Sequence, residues 1–207
     1  MAKKLVVLLV VSLGMLLPAM GQDLANGKAK YAVCVTCHMA AGQGNKALNS
    51  PAIAGQEDWY IERQLKYYKE GIRGKHPKDI FGMQMAPMVM TLATDKDIKD
   101  VTAYVAAMKP APREAPTVKG DAAKGKGYYA VCATCHGQDG KGMKVMNGPN
   151  LTLQQDWYLE RQIKNYKEGI RGSDPKDIYG MQMKPMMATL PDDKAIKDVV
   201  AYIMSLK

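Results

Sequence analysis

Two copies of one cysteine–histidine pattern are the residues of this chain best suited to chemistry. Cys34-Val35-Thr36-Cys37-His38 returns 98 residues later as Cys132-Ala133-Thr134-Cys135-His136, and these four cysteines are all that the chain has. Two thiols at this spacing can add to the two vinyl groups of a porphyrin, and the adjacent imidazole can then bind the iron. The pattern predicts two covalently attached haem c groups, with thioether bonds from Cys34, Cys37, Cys132 and Cys135 and with His38 and His136 as iron ligands.

Other uses of the pattern fit the sequence less well. A structural zinc site needs four ligands, and each copy offers two cysteines and one histidine. The remaining histidine, His76, is replaced by Asp174 in the second copy. A thioredoxin-like redox site expects a βαβ setting, which neither copy suggests. Two long-range disulfides remain open on cysteine count alone, but they would leave the histidines unexplained.

The amino-terminal residues have the layout of a secretory signal. Lys3 and Lys4 precede an apolar run from Leu5 to Leu17, and Ala19-Met20-Gly21 is a small-x-small site. We expect residues 1–21 to be a signal peptide that is cleaved after Gly21, although an uncleaved anchor is the alternative. The apolar run is shorter than the roughly 20 residues of a spanning helix. The predicted location is the periplasm, where haem attachment to thiols takes place on the oxidising side of the membrane.

The charge of the chain does not indicate a nucleic-acid-binding protein. The sequence has 29 Lys+Arg and 20 Asp+Glu, a formal net charge of +9. The basic residues are spread through both halves without a dense basic run. Such a charge is compatible with docking to acidic redox partners or with peripheral association with a membrane.

The chain is a tandem duplication. Residues 31–109 align without gaps with residues 129–207, and about 48 of the 79 paired positions are identical. The prolines around Pro110, Pro112 and Pro116 favour an extended connector between the copies. We expect one domain at 22–109, a proline-rich linker at 110–119 and a second domain at 120–207.

Each copy has the periodicity of helices joined by glycine-rich loops. Helices are predicted from Asp23 and Asp121 into the haem motifs, over 57–70 and 155–168, and after the N-cap candidates Thr94 and Asp192. No segment shows the alternation of a strand. The predicted fold class is all-α, and in so short a domain a buried haem would supply much of the apolar core.

Methionines between these helices are candidates for the second iron ligand. A loop is predicted at Gly82–Met88, with its counterpart at Gly180–Met186. A neutral thioether suits iron(II), so histidine–methionine ligation raises the reduction potential. Most of the 16 methionines are expected to be adaptable core residues instead.

Both halves resemble class I cytochrome c domains, and the pair resembles the di-haem cytochrome c4 family over the chain that follows residue 21. Beside the haem motifs, the resemblance is carried by a glycine and a tyrosine in the first helix and by an alanine–tyrosine pair in the last helix: Gly27, Tyr31, Ala103 and Tyr104, then Gly125, Tyr129, Ala201 and Tyr202. The resemblance implies that the two helices cross closely at the glycine, with aromatic rings packed across the crossing.

The resemblance also implies roles for individual residues. Family members place the axial methionine seven residues before a leucine, which selects Met85 and Met183, with Met88 and Met186 as the substitutes. Pro51 and Pro149 resemble the proline whose carbonyl accepts the hydrogen bond of the proximal histidine; an ordinary turn proline is the alternative.

Three further residue pairs and one single histidine are open to more than one interpretation. Trp59, Trp157, Arg63, Arg161, Arg73 and Arg171 are candidates for shielding the haems or holding their propionates, since guanidinium groups suit carboxylates. A solvated helix face explains the same arginines. His76 has no counterpart in the second half and is expected to be a surface residue.

The predicted function is one-electron transfer, because ligation of each iron on both sides leaves no vacant position for a substrate. Resemblance to cytochrome c4 implies a periplasmic carrier that takes electrons from a quinol-oxidising complex and passes them towards a terminal oxidase. The rival is a di-haem electron-accepting subunit of a periplasmic dehydrogenase, such as that of flavocytochrome c sulfide dehydrogenase. A di-haem peroxidase is a third alternative, which the near-identical methionine segments disfavour.

Overall fold

The described part of the chain is mostly helical and contains no sheet. A computed structural model describes residues 21–206, which form nine α-helices and two short 3-10 helices. The described residues form no β-strand. They contain two isolated β-bridges, Asn45 with Ser50 and Met143 with Gly148, so the all-α prediction is confirmed. Within this range no helix has both the length and the apolar character needed to cross a bilayer. The predicted signal peptide lies outside the described residues, Gly21 excepted.

The two halves contain corresponding helices. The first half has α1 (Leu24–Tyr31), α2 (Val35–His38), α3 (Asp58–Lys69), α4 (Ile80–Val89) and α5 (Asp95–Ala106). The second half has α6 (Ala122–His136), α7 (Asp156–Lys167), α8 (Ile178–Met186) and α9 (Asp193–Ser205), with 3-10 turns at Lys144–Met146 and Met187–Thr189. The last helix of each half begins after its predicted N-cap, Thr94 or Asp192. The helix predicted from Asp121 into the haem motif is confirmed as α6, whereas its counterpart from Asp23 ends at Tyr31 and the motif continues in the separate helix α2. Thr94, for example, forms a complete capping box with Asp97.

The first and last helices of each half cross in close contact at a glycine. A Cβ at Gly27 would overlap the carbonyl oxygen of Asp100 on α5, and one at Gly125 would overlap that of Asp198 on α9. Beside each crossing two tyrosine rings pack with centroids 5.5 Å apart in the first half and 5.2 Å apart in the second. The helix approach and the aromatic pair implied by the family resemblance are both present.

The methionine segments are helices, so the predicted loops were wrong. Asp79 caps α4 by accepting a hydrogen bond from Gly82 N at 3.0 Å, and Asp177 caps α8 in the same way through Gly180 at 2.8 Å. The glycine and proline of each segment suggested a loop. Pro87 lies near the end of α4, however, where the missing N–H removes one helical hydrogen bond without preventing the preceding turns.

The segment between the halves is packed against the second half. Residues 110–119 contain no helix. Arg113 donates to the carbonyl of Ile203 at 3.1 Å, and the backbone N–H groups of Thr117 and Val118 both donate to the carboxylate of Asp156. These contacts fix the predicted linker onto α7 and α9 along much of its length.

Candidate haem sites

One apolar cavity of about 610 Å³ connects the two haem motifs. Its walls come from both halves, so the two pockets meet where the halves pack together. The lining includes both thiols and the motif histidine of each half, with two methionines from the first half and four from the second: Cys34, Cys37, His38, Met85 and Met88, then Cys132, Cys135, His136, Met146, Met183, Met186 and Met187.

Each motif histidine is buried and held in one orientation. His38 and His136 are both 6 % exposed. His38 Nδ1 lies 2.9 Å from the carbonyl oxygen of Pro51, and His136 Nδ1 lies 2.8 Å from that of Pro149. A carbonyl only accepts, so Nδ1 carries the proton and Nε2 keeps its lone pair for a metal. Burial lowers the pKa of both imidazoles, which favours this neutral form.

The four cysteines are free thiols that line the cavity. Burial raises the pKa of Cys34 and of Cys132 to about 11. The described residues contain neither a disulfide nor a cluster of three or more His, Cys, Asp and Glu side chains that could hold a metal ion.

The methionines of α4 and α8 differ in their environments. Met85 is half-buried and packs against the core of the first half, and Met183 does the same in the second half. Met88 and Met186 also line the cavity but are 40 % and 37 % exposed. Met83 and Met181 are outside the lining and face solvent. Burial against the core favours Met85 and Met183 as axial ligands over their substitutes.

Two buried arginines lie on the cavity wall without a carboxylate partner. Arg73 and Arg171 are 7 % and 6 % exposed, and neither forms an ion pair within residues 21–206. Arg73 donates to Gln64 Oε1 at 2.7 Å, and Arg171 crosses the boundary between the halves to donate to the same oxygen at 3.1 Å.

A haem group fits this donor set. The Nε atoms of Arg73 and Arg171 are buried without a hydrogen-bond partner in the described structure. Buried cations of this kind need anions, and haem propionates would supply them. The apolar cavity wall suits the porphyrin ring, the free thiols suit its vinyl groups, and the oriented imidazoles suit its iron.

The tryptophans do not face the haem cavity. Trp59 and Trp157 are not among its lining residues. Each instead supports an arginine: the guanidinium carbon of Arg63 lies 4.9 Å from the centroid of Trp59, and that of Arg161 lies 5.0 Å from the centroid of Trp157. The suggestion that these tryptophans shield the haems directly is corrected accordingly.

Arg63 and Arg161 join the two halves. Arg63 donates to Asn147 Oδ1 at 3.0 Å, and Arg161 donates to Asn49 Oδ1 at 2.8 Å. Each arginine also lies over an aromatic ring of the opposite half, Tyr179 at 4.3 Å and Phe81 at 4.4 Å. Both arginines therefore hold the interface, although their side chains also line the cavity.

Residues at the start of α3 and α7 complete this interface, and sequence reasoning missed them. Gln56 donates to the carbonyl of Asn150 at 3.0 Å, and Gln154 donates to that of Ala52 at 2.9 Å. Glu57 accepts a hydrogen bond from the N–H of Asn150 at 3.1 Å. The recurrence of glutamine at the paired positions 56 and 154 was the available signal. His76, by contrast, is outside the cavity lining, and its Nδ1 accepts from Lys78 N at 3.2 Å.

Comparison with known proteins agrees with this architecture. The Cytochrome c family model matches residues 24–109 and again residues 122–207. Cytochrome c4 of Pseudomonas aeruginosa is 32 % identical over 212 residues, which cover 98 % of this chain and 98 % of the relative. A thiosulfate dehydrogenase electron acceptor of Thiomonas intermedia is 33 % identical over 180 residues, covering 82 % of this chain and 78 % of the relative.

A solved structure shares the two-domain arrangement. Reduced recombinant cytochrome c4 from Pseudomonas stutzeri superposes with a TM-score of 0.71 at 27 % identity, covering 90 % of this chain and all of that one (100 %). These matches agree with the paired haem motifs, the oriented histidines and the helical fold described above. The chain belongs to the cytochrome c family and, within it, to the di-haem cytochrome c4 family, whose members carry two covalently bound haem c groups and transfer electrons.

Proposed function

We propose that this protein is a periplasmic one-electron carrier in which each iron is held between a histidine and a methionine. Haem c, when bound, supplies an iron that alternates between the ferrous and ferric states. The observation that supports the ligation is the cavity itself, whose lining includes buried His38 and His136 with half-buried Met85 and Met183. Ligation on both sides keeps the iron closed to substrates, as a carrier requires.

The remaining side chains would bind and orient the cofactor. Cys34, Cys37, Cys132 and Cys135 would each form a thioether bond. The carbonyls of Pro51 and Pro149 hold the imidazole planes and increase the basicity of the ligating nitrogens. Arg73 and Arg171 would pair with propionates, and the apolar lining excludes water, which disfavours the extra charge of ferric iron.

Electron donors and acceptors are proposed from the similarity to cytochrome c4. The donor would be a quinol-oxidising complex and the acceptor a terminal oxidase. The carrier itself would be exported after cleavage behind Gly21. Because the two haem pockets share one cavity, an electron received by one half can pass to the other within the molecule.

A second candidate function is suggested by one relative. The Thiomonas intermedia protein is named a thiosulfate dehydrogenase electron acceptor, so this chain would by analogy receive electrons from a dehydrogenase of that kind. The two functions differ in their immediate donor. Stopped-flow reduction of the oxidised protein by purified thiosulfate dehydrogenase, compared with reduction by a quinol-oxidising complex, distinguishes them by rate.

The ligand assignment is tested by replacing single methionines with leucine. Met85→Leu and Met183→Leu should each lower one of the two reduction potentials and allow carbon monoxide or cyanide to bind that iron, because a vacant position replaces the thioether. Low-temperature absorption and magnetic circular dichroism, with a spectroelectrochemical titration, measure both changes.

Matched variants make this test decisive. Met83→Leu and Met181→Leu change exposed methionines on the same helices and should leave both potentials and both ligand spectra unchanged. Loss of the thioether signal in Met88→Leu or Met186→Leu, with the signal retained in Met85→Leu and Met183→Leu, would show that the ligand is Met88 or Met186 instead.

A further inference from the structure

The two proximal histidines are supported by peptide groups whose surroundings differ. In the second half, the Pro149 carbonyl accepts from His136 at 2.8 Å. The N–H of the same peptide group belongs to Asn150 and donates to Glu57 Oε2, a residue of the first half, at 3.1 Å. A continuous chain of hydrogen bonds therefore links the Glu57 carboxylate, across the interface, to the imidazole of the second half.

The first half lacks this chain. Its corresponding peptide group joins Pro51 and Ala52, and the residue paired with Glu57 by the duplication is Gln155. The Gln155 side chain is neutral, and its Nε2 turns to the carbonyl of Gln43 at 3.4 Å. Within residues 21–206, the N–H of Ala52 donates to no side chain. An anion therefore supports one imidazole and not the other.

The backbone around Gly142 and Asn150 leaves space for the Glu57 carboxylate. A Cβ at Gly142 would lie only 2.6 Å from Glu57 Oε1 and 2.7 Å from the backbone nitrogen of Asn150, and Gly142 has a φ of +86°, so glycine at this position leaves room for the carboxylate. Gln56 holds the same segment by donating to the Asn150 carbonyl. Burial raises the pKa of the Glu57 carboxyl, and the hydrogen bond from Asn150 opposes that rise. The experiments are set at pH 8, a pH well above the ordinary carboxyl pKa of about 4.

We infer that Glu57 lowers the reduction potential of the haem in the second half by polarising the Pro149–Asn150 peptide group. A carboxylate that accepts from the N–H makes the carbonyl of that peptide group more negative, because linked hydrogen bonds strengthen one another. The stronger acceptor draws on the Nδ1 proton of His136 and makes Nε2 a better donor, which stabilises the ferric iron. Glu57 acts as a positioning residue, and the inference depends on the proposed ligation of iron by His136.

The test removes the charge and keeps the shape. In Glu57→Gln at pH 8, the reduction potential of the second haem should rise, with a roughly tenfold change in its one-electron equilibrium, equal to 59 mV. The first haem should shift much less. Spectroelectrochemical titration gives both potentials, and the haem methyl resonances in proton NMR assign each potential to its half.

Three further measurements separate tuning from a structural role. The reciprocal variant Gln155→Glu should lower the potential of the first haem. Glu62→Gln removes a carboxylate of α3, the helix that begins directly after Glu57. The Glu62 carboxylate pairs with Lys66, and its loss should shift neither potential appreciably. In the reduced protein, the Nδ1 proton resonance of His136 should move upfield in Glu57→Gln, because its hydrogen bond weakens, while that of His38 stays in place.

The outcomes distinguish this inference from the proposed function. If Glu57→Gln leaves the second potential unchanged, or shifts both potentials equally, while both irons keep their ligand spectra, the inference is overturned and the carrier function stands. If the wild-type spectra show that His136 is not an iron ligand, both are overturned.

Discussion

Buried charge is the residue-scale feature with most influence on the cofactor. Arg73 and Arg171 are enclosed at the boundary between the halves and share one acceptor, Gln64 Oε1. Two guanidinium groups this close repel each other, and without an ion pair in the described chain they need anions from the haems. In the proposed holoprotein the arginines would bind the propionates and would also make the ferric iron less favourable.

Removing one of these cations should lower a reduction potential. Arg171→Gln takes a positive charge from the cavity wall, so ferric iron becomes more stable and we expect a fall of the order of 59 mV, a tenfold change in the one-electron equilibrium. Spectroelectrochemistry measures it. Arg113→Gln is the control, because Arg113 holds the linker outside the cavity. An equal fall in both variants would contradict the assignment.

At the scale of the elements, the crossing of α6 and α9 sets the frame of the second half. The glycine at the crossing lets the helix backbones touch, and the Asp198 carboxylate accepts from Asp121 N at 2.8 Å at the start of α6. That hydrogen bond lowers the pKa of Asp198. The haem motif lies at the end of α6, so the crossing positions His136 as well as the core.

A glycine pair on α6 offers a matched test of this crossing. Gly125→Ala would place its Cβ on the carbonyl of Asp198 and should destabilise the holoprotein by about 1–3 kcal/mol. Gly127→Ala meets no atom within 4 Å and should be neutral or stabilising by up to about 1 kcal/mol, because alanine favours helix. Chemical denaturation followed by haem absorption measures both. Similar losses in the two variants would show that the crossing is not tightly packed.

At the scale of the whole molecule, the two halves hold each other through reciprocal contacts. Arg63 binds Asn147 of the second half as Arg161 binds Asn49 of the first. Both asparagines have positive φ, 57° and 56° for Asn49 and Asn147, a conformation that asparagine tolerates better than most residues. The interface therefore has approximate twofold character within a single chain.

Loss of both arginines should uncouple the halves. Each forms charge-assisted hydrogen bonds worth about 2 kcal/mol, so the double variant Arg63→Ala/Arg161→Ala should unfold in two resolved calorimetric transitions where the parent unfolds in one. Lys164→Ala, which removes two surface ion pairs within the second half, with Glu160 and Asp193, should keep the single transition. A single unchanged transition in the double variant would show that other contacts hold the interface.

The features that depend on local sequence patterns could be predicted from the sequence. The haem motifs, the N-caps and the glycine–tyrosine crossing all follow from residues close together in the chain or from family resemblance. It failed for α4, since Gly82 and Pro87 suggested a loop while the Asp79 cap and the intervening apolar residues favour a helix. It also missed the interface, because Arg63 and Asn147 are 84 residues apart. No local periodicity distinguishes such an arginine from one on a solvated face.

The covalent joining of the two copies has an evolutionary consequence. In a dimer of identical chains, one gene specifies both sides of the symmetry axis, so a glutamate on one side requires a glutamate on the other. Fusion removes that requirement: this protein has Glu57 at one position and Gln155 at its equivalent. Duplication within a single polypeptide thus allows two nearly identical cofactor sites to acquire different properties through one substitution.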